Sequence, residues 1–371
     1  MKVGIPSEVK NNEFRVAITP AGVHELVRHG HEVYVQQGAG LGSSITDAEY
    51  VAAGGAILPT ADEVWAIADL LLKVKEPIEE EYHRLRKDQT LFTYLHLAAS
   101  RPCTDALIAS GTTAIAYETV ETADRRLPLL APMSEVAGRL APQVGAYHLM
   151  RAAGGRGVLP GGVPGVAAGK AVVIGGGVSG WNATQIAVGM GFHVTLLDRD
   201  INKLKEADKV FGTKVQTVVS NSFELERACL EADLVIGAVL IPGAKAPKLV
   251  TNELVSRMKP GSVLVDIAID QGGCFEDSHP TTHAEPTFQV HNSVFYCVAN
   301  MPGAVPNTST HALTNATLPY ILELADRGWA EALRRDAALA KGLNTHDGKV
   351  VYREVAEAHG LEHTELSALL G

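Results

Sequence analysis

Apolar and polar positions alternate along this chain in two rhythms. Short aliphatic and β-branched runs, which suit strands, are separated by segments whose apolar residues recur at helical spacing. VGIP, near the start, is followed by a helix predicted to begin at Thr19-Pro20, with threonine as N-cap, proline in the first turn and Gly30 past its end. HEVYVQ comes next, then a helix opened by the capping box Thr46-Asp47-Ala48-Glu49, the strand ADLLLKV and a charged helix around EEEYHRLRK. The strand TLFTYLH, a further helix and the strand TTAIAYET complete this part. Strands alternating with helices predict a mainly parallel sheet covered on both faces.

A long apparent helix, MSEVAGRLAPQVGAYHLMRA, leads into a stretch from Gly154 to Gly169 that holds seven glycines. Its composition suits a linker, while GVLPGGV has enough β-branched character for a strand between turns, and the residues alone leave both open. The alternation resumes with KAVVIGGG, HVTLLD, KVQTVVS, ADLVIGAVL and SVLVDIAID, interleaved with helices, and finishes with VFYCVAN. From Val305 onward the chain is mostly helical and too poor in strands to stand alone, so it is expected to fold back on the first part. The predicted fold is α/β, with two doubly wound Rossmann-like domains, mainly parallel sheets and an interdomain cleft. One domain is discontinuous, residues 1–128 plus 306–371, and the other spans residues 129–305.

Composition narrows the classes of function. With 371 residues, 46% hydrophobic and 20% charged, the chain can build more than one core and is too apolar for disorder. Thirty-two lysines and arginines against 42 aspartates and glutamates give a net charge of −10, which disfavours nucleic acid as the main partner. No stretch approaches the roughly 20 apolar residues of a membrane span, and MKVGIPSEVKNNEFR has too short an apolar core for a signal peptide, so a soluble, cytoplasmic protein is expected. Cys103, Cys229, Cys274 and Cys297 are scattered without CxxC spacing, which gives no support to a zinc site or a disulfide framework. The 36 glycines beside only 5% aromatic residues suggest tight turns and close backbone approach to ligands more than stacking platforms.

Gly175-Gly176-Gly177-Val178-Ser179-Gly180 follows the strand AVVI and opens a helix, the context that a G-x-G-x-x-G match requires. Gly175 permits the tight turn, Gly177 lets backbone approach a pyrophosphate, and Gly180 allows close packing of the helix, whose first amides would hold the phosphates. Asp198 closes the next strand at the interval expected of the acid that bonds the adenosine ribose, which favours NAD over NADP, a preference that the adjacent Arg199 weakens. Residues 129–305 are therefore the expected NAD-binding domain, and the discontinuous domain is the expected substrate (catalytic) domain.

In open α/β sheets ligands bind beyond the carboxyl ends of the strands. Arg15, Lys75 and His96 follow strand ends in the first domain, and Asp270 follows one in the second. Each has an ordinary alternative. Arg15 could form a surface ion pair with Glu13, and Lys75 could be one of two solvated lysines with Lys73. His96 could be a packed core histidine, and Asp270 could cap the turn Gln271-Gly272-Gly273. Glu118 lies at another strand end, where a capping role and a site role are equally open.

The segments GIPSEVKNNEFRVAITP, LLKVKEP, LFTYLHLAA, PMSEVAGR, GGVPGV, IGAVLIPGAKAPKLV, VDIAIDQGG and VANMPGAVPNTSTHALTNATLPY resemble the alanine dehydrogenase and pyridine nucleotide transhydrogenase family over nearly the whole chain. The resemblance implies reversible NAD-dependent oxidative deamination of L-alanine to pyruvate and ammonium. It implies that Arg15 and Lys75 bind the substrate carboxylate and keto oxygen, and that His96 and Asp270 are the acid/base residues. The implied NAD site comprises Ser134, Gly175, Gly177, Val178, Ser179, Gly180, Asp198, Lys203, Ser220, Val239, Leu240, Ile267, Asp270, Val298, Asn300 and Met301. A symmetric homo-oligomer, commonly a hexamer, is also implied. Two rival functions share the scaffold: the nucleotide-binding subunit of a proton-translocating transhydrogenase, and a non-catalytic NAD sensor, which would need none of the four polar residues. Some relatives hold a divalent ion with a glutamate and a histidine four residues on. Here Glu323 is followed by Arg327, which predicts an i,i+4 ion pair and no metal. Met133 and Met301 fit buried packing better than a substrate pocket.

Overall fold

The central strands of both sheets are short and mostly apolar, and both faces of each sheet are covered, as parallel sheets require. The computed structural model describes residues 1–239 and 246–370. The chain divides into two units, Met1–Met133 with Val305–Gly371, and Ser134–Ala304. In the first unit the strands are β1 (Lys2–Ile5), β2 (Glu32–Gln36), β3 (Ala56–Leu58), β4 (Leu70–Leu72), β5 (Thr90–Thr93) and β6 (Thr113–Ala116). The second unit contains β7 (Lys170–Ile174), β8 (His193–Asp198), β9 (Val215–Val219), β10 (Leu234–Gly237), β11 (Val263–Asp266), β12 (Thr287–Val290) and β13 (Ser293–Tyr296). The tail returns to the first unit with β14 (Leu343–His346) and β15 (Lys349–Val350).

The first sheet runs β15-β14-β6-β5-β4-β1-β2-β3. β1 to β6 pair in parallel, and β14 joins antiparallel to β6. The helix Pro20–Arg28 starts as predicted, with Thr19 accepting from the Gly22 N–H, and Asp47–Ala52 carries the full Thr46/Glu49 capping box. Three features depart from the sequence expectations. The segment around EEEYHRLRK is a 3₁₀ helix, Glu79–Arg84, because Glu81 turns inward to a buried lysine and no continuous apolar stripe faces the core. The strand β3 and the helix Ala61–Ile67 were not anticipated. β3 is a three-residue, partly exposed edge with no alternation to read, yet the helix repeats the capping-box spacing at Thr60 and Glu63. The tail, expected to be mostly helical, contributes the two strands that extend the sheet beyond β6.

The second sheet runs β12-β13-β11-β10-β7-β8-β9, parallel except for the edge strand β12. Successive residues of its strands feed opposite faces, with Val173, Leu196, Ile236 and Val265 in one core and Val172, Leu197, Val235 and Leu264 in the other. The antiparallel β12 lies outside the sequence expectations, since TFQV is a four-residue, half-buried edge with no continuous apolar run. The glycine-rich stretch after the helix Ala131–His148 forms neither a named strand nor a loose linker. It is a chain of turns tied into its own unit by Gly157 N–H to Leu149 O, Arg156 N–H to Gly261 O and Gly169 N–H to Pro160 O. All four cysteines are buried and outside any disulfide.

Candidate active site

β7 ends at Ile174, and the chain turns through Gly175 with φ at +99°, a conformation that L side chains rarely adopt. Gly177 is the extended N-cap of the helix Val178–Gly189 and makes no side-chain cap, so the first amides of the helix are not claimed by a capping residue. A Cβ at Gly180 would lie 1.7 Å from the Gly175 carbonyl oxygen, so only glycine lets the helix start this close to the turn. These three positions form the cradle that a pyrophosphate needs.

Asp198, the last residue of β8, is 9% exposed. One carboxylate oxygen accepts the Gly176 N–H at 2.6 Å and lies 3.5 Å from the Lys203 ammonium, while the other accepts the Asp200 N–H at 2.8 Å. Ser220, just past β9, donates its N–H to the Asp198 carbonyl at 2.9 Å. Val239 follows β10 and packs over Gly175. Ile267 and Asp270 sit on the 3₁₀ turn that follows β11, and Val298, Asn300 and Met301 follow β13. The carboxyl edge of one parallel sheet therefore carries most of the expected nucleotide residues. Val178 and Ser179 begin the helix after the glycine turn, and Ser134 lies on the helix Ala131–His148. A Cβ at Gly138, one turn beyond Ser134, would lie 2.2 Å from the Ser179 carbonyl oxygen, so the two helices touch closely there. Val298 and Met301 bury their side chains in the core. Leu240 lies outside the described residues.

Asp270 is exposed and does not take the capping role considered for it. Asp266, fully buried, fills that role: it accepts N–H groups from Ala268, Cys274 and Phe275 and the Ser278 hydroxyl. Burial pushes the Asp266 carboxyl above its ordinary value, against those four donors.

In the first unit Arg15, Lys75, His96 and Glu118 follow β1, β4, β5 and β6, four neighbours in the sheet. Arg15 is not at the surface: it is 2% exposed and meets Glu13 through Nε at 2.7 Å and Nη2 at 2.5 Å, with Nη1 3.0 Å from the Met133 sulfur. Burial alone would raise the Glu13 carboxyl, but the hydrogen bonds and charge of Arg15 reverse this and hold it below its ordinary value, with help from the charge of Lys75. Lys75 is half-buried, and its N–H donates to Glu8.

His96 is not a core histidine. Its side chain is 44% exposed and its backbone is left-handed, with φ at +48°. Glu118 accepts the N–H groups of both Leu95 and His96, the latter at 2.6 Å, and so fixes this turn. The imidazole stacks on Tyr94 with ring centres 5.8 Å apart, and Nδ1 lies 3.8 Å from the Glu118 carboxylate. Tyr94 is buried, donates its hydroxyl to the Leu129 carbonyl, and has its phenol pushed upward by burial. Sequence reasoning missed Tyr94 and Lys73. Lys73 is fully buried, not solvated, and the signal was available: a lysine that ends the run Leu70-Leu71-Leu72 needs acidic partners. Glu323 and Arg327 form the expected pair at 2.6 Å, and among the described residues no cluster of His, Cys, Asp or Glu is arranged to hold a metal ion.

Two Rossmann-like α/β units, one with a glycine turn of dinucleotide-binding type, define the class of this protein. The N-terminal domain model of alanine dehydrogenase/PNT matches residues 4–137 and the C-terminal domain model matches residues 141–353. The chain belongs to the alanine dehydrogenase/PNT family. It is 68% identical to an alanine dehydrogenase of Mycolicibacterium smegmatis and 57% identical to one of Halomonas elongata, each match covering 100% of both chains. A solved L-alanine dehydrogenase superposes with a TM-score of 0.95 at 51% identity, covering 97% of this chain and 99% of that one. A transhydrogenase of Sinorhizobium meliloti gives 0.83 at 26% identity over 95% of this chain and 100% of that one. Among the described residues no helix is long and apolar enough to cross a membrane.

Proposed function

We propose that this chain catalyses the reversible oxidative deamination of L-alanine to pyruvate and ammonium with NAD. The observation that carries the reading is that Arg15, Lys75 and His96 follow neighbouring strands in a chain that matches alanine dehydrogenases end to end. The alternative of a transhydrogenase subunit has the weaker likeness.

The glycine turn, the uncapped helix start and Asp198 fit a dinucleotide, with Lys203, Ser220, Val239 and Ile267 beside them at the same sheet edge. When bound, NAD supplies the hydride acceptor. In this reading Glu13 fixes the plane of the Arg15 guanidinium so that it receives the substrate carboxylate in one orientation. Lys75 places a positive charge at the carbonyl oxygen, where negative charge develops as ammonia attacks pyruvate. His96, reachable by solvent, takes a proton from the amine before the hydride leaves and passes it to solvent. It then takes a proton from the water that adds to the iminium carbon and gives it to the departing ammonia. Amination reverses these transfers, a task for which imidazole suits neutral pH. Asp270 orients the water or ammonia.

A spectrophotometric assay of NADH formation across small L-amino acids, with pyruvate and ammonium run in reverse, tests the activity. L-Alanine should give the fastest reduction, whereas hydride exchange between nucleotides without alanine would support the transhydrogenase reading. Asp198→Ala should weaken NAD binding by about 1.5–3 kcal/mol, the worth of a hydrogen bond to a charged group. Unchanged affinity in calorimetry would remove Asp198 from the site. Following the family resemblance, we also propose a cytoplasmic homo-oligomer, a hexamer, measurable by light scattering.

A further inference from the structure

The turn that carries Lys75 leaves the sheet abruptly. The last ladder bonds of this strand are Lys73 N–H to Phe92 O and Tyr94 N–H to Val74 O, both 3.2 Å. Beyond them the backbone N–H groups of Val74, Lys75 and Ile78 have carboxylates as partners. Glu8 takes Val74 N–H at 2.6 Å and Lys75 N–H at 3.3 Å, and Glu81 takes Ile78 N–H at 3.1 Å. Both glutamates converge on the Lys73 ammonium, at 3.2 Å and 2.8 Å. All three side chains are at most 2% exposed.

Such a cluster is costly to build, because burying three charges exacts a desolvation penalty that hydrophobic side chains of similar size would not. One ammonium faces two carboxylates, and the second negative charge is met by backbone N–H groups of the Lys75 turn. Burial pushes the Glu8 carboxyl up, with Lys73 opposing, while the two glutamates outweigh burial and keep Lys73 an ammonium. The cluster grips both ends of the segment 74–78, which carries Lys75, and Glu8 also faces the charges of Glu13 and Arg15.

We propose that Lys73, Glu8 and Glu81 are positioning residues that act through the backbone of residues 74–78 to aim the Lys75 ammonium at the substrate. The inference rests on the alanine-deaminating reading given above. It assigns the cluster to the substrate-holding and carbonyl-polarising role of Lys75 and not to proton transfer or nucleotide binding.

The test is steady-state kinetics of pyruvate reduction by NADH and ammonium, with thermal denaturation alongside. A wild-type enzyme that does not turn over would sink the functional reading and this proposal with it, whereas the variants below overturn the proposal alone. With an active wild type, Glu8→Gln should raise the KM for pyruvate about 10- to 100-fold, from the loss of charge-assisted hydrogen bonds. Its kcat should fall as well, because Lys75 stabilises charge that develops only as ammonia attacks, while its KM for NADH should not change. In a Lys75→Ala background the same substitution should change the pyruvate KM by less than about twofold, because coupled residues are not additive. An equal rise in both backgrounds would overturn the proposal, as would a fall in melting temperature with the pyruvate KM unmoved. Lys73→Met should behave like Glu8→Gln. If it does not fold, Glu81→Gln, which keeps the volume, gives the same reading.

Discussion

Replacing His96 by alanine should lower kcat by about 10² to 10⁴, the usual contribution of a positioned general base. NAD affinity should be preserved, since the glycine turn and Asp198 belong to the other unit. Part of any loss could come from the backbone, because His96 occupies the left-handed region that alanine tolerates poorly. His96→Asn separates the two effects: asparagine accepts that conformation but cannot exchange protons near neutral pH. Both variants should be slow while NADH still binds normally by fluorescence titration. Near-normal turnover in the asparagine variant would reduce His96 to a turn residue.

Glu13→Ala should cost about 3–5 kcal/mol of stability in the first unit, because it leaves the Arg15 guanidinium buried without its carboxylate. The double variant Glu13→Ala/Arg15→Met should recover much of that loss, as removing both charges removes the uncompensated one. Urea unfolding at neutral pH reads both. The pair also sets a pH dependence. The Glu13 carboxyl sits lower in the folded protein than its ordinary value of 4.5, so its stabilisation is fully present above that value and is lost as pH falls through the lowered one. Wild-type stability should therefore drop below about pH 4.5 more steeply than that of the double variant. Identical acid profiles would show that this carboxylate is not the titrating group.

The strands and the nucleotide turn were legible because their signals are local. A short apolar run such as Leu234–Gly237, rich in branched residues and preceded by Asp233, reads as a buried strand, and Gly175 and Gly180 carry their reason in their own geometry. The first-unit site was legible only as a set of strand ends. That Arg15 and Lys73 are buried depends on Glu13, Glu8 and Glu81, and a lysine looks solvated until its distant acids are brought to it. The left-handed turn at His96 depends on Glu118, which joins it only when β5 and β6 pair. The 3₁₀ form of Glu79–Arg84 has the same origin, since the inward pull on Glu81 is a tertiary event that helix propensity does not register.

The join between β6 and β14 has a consequence for biosynthesis. Ser134–Ala304 is continuous and can fold as soon as it leaves the ribosome, but β6 keeps an open, apolar edge until Leu343–His346 emerges. At translation rates of about 5–20 residues per second the wait is roughly 10–50 s. Through that interval the nascent chain displays Thr113–Ala116, buried at every position in the finished protein, as a strand paired to β5 on one side only. A chaperone that shields strand edges should therefore matter most to this protein late in translation, when the second unit is already built.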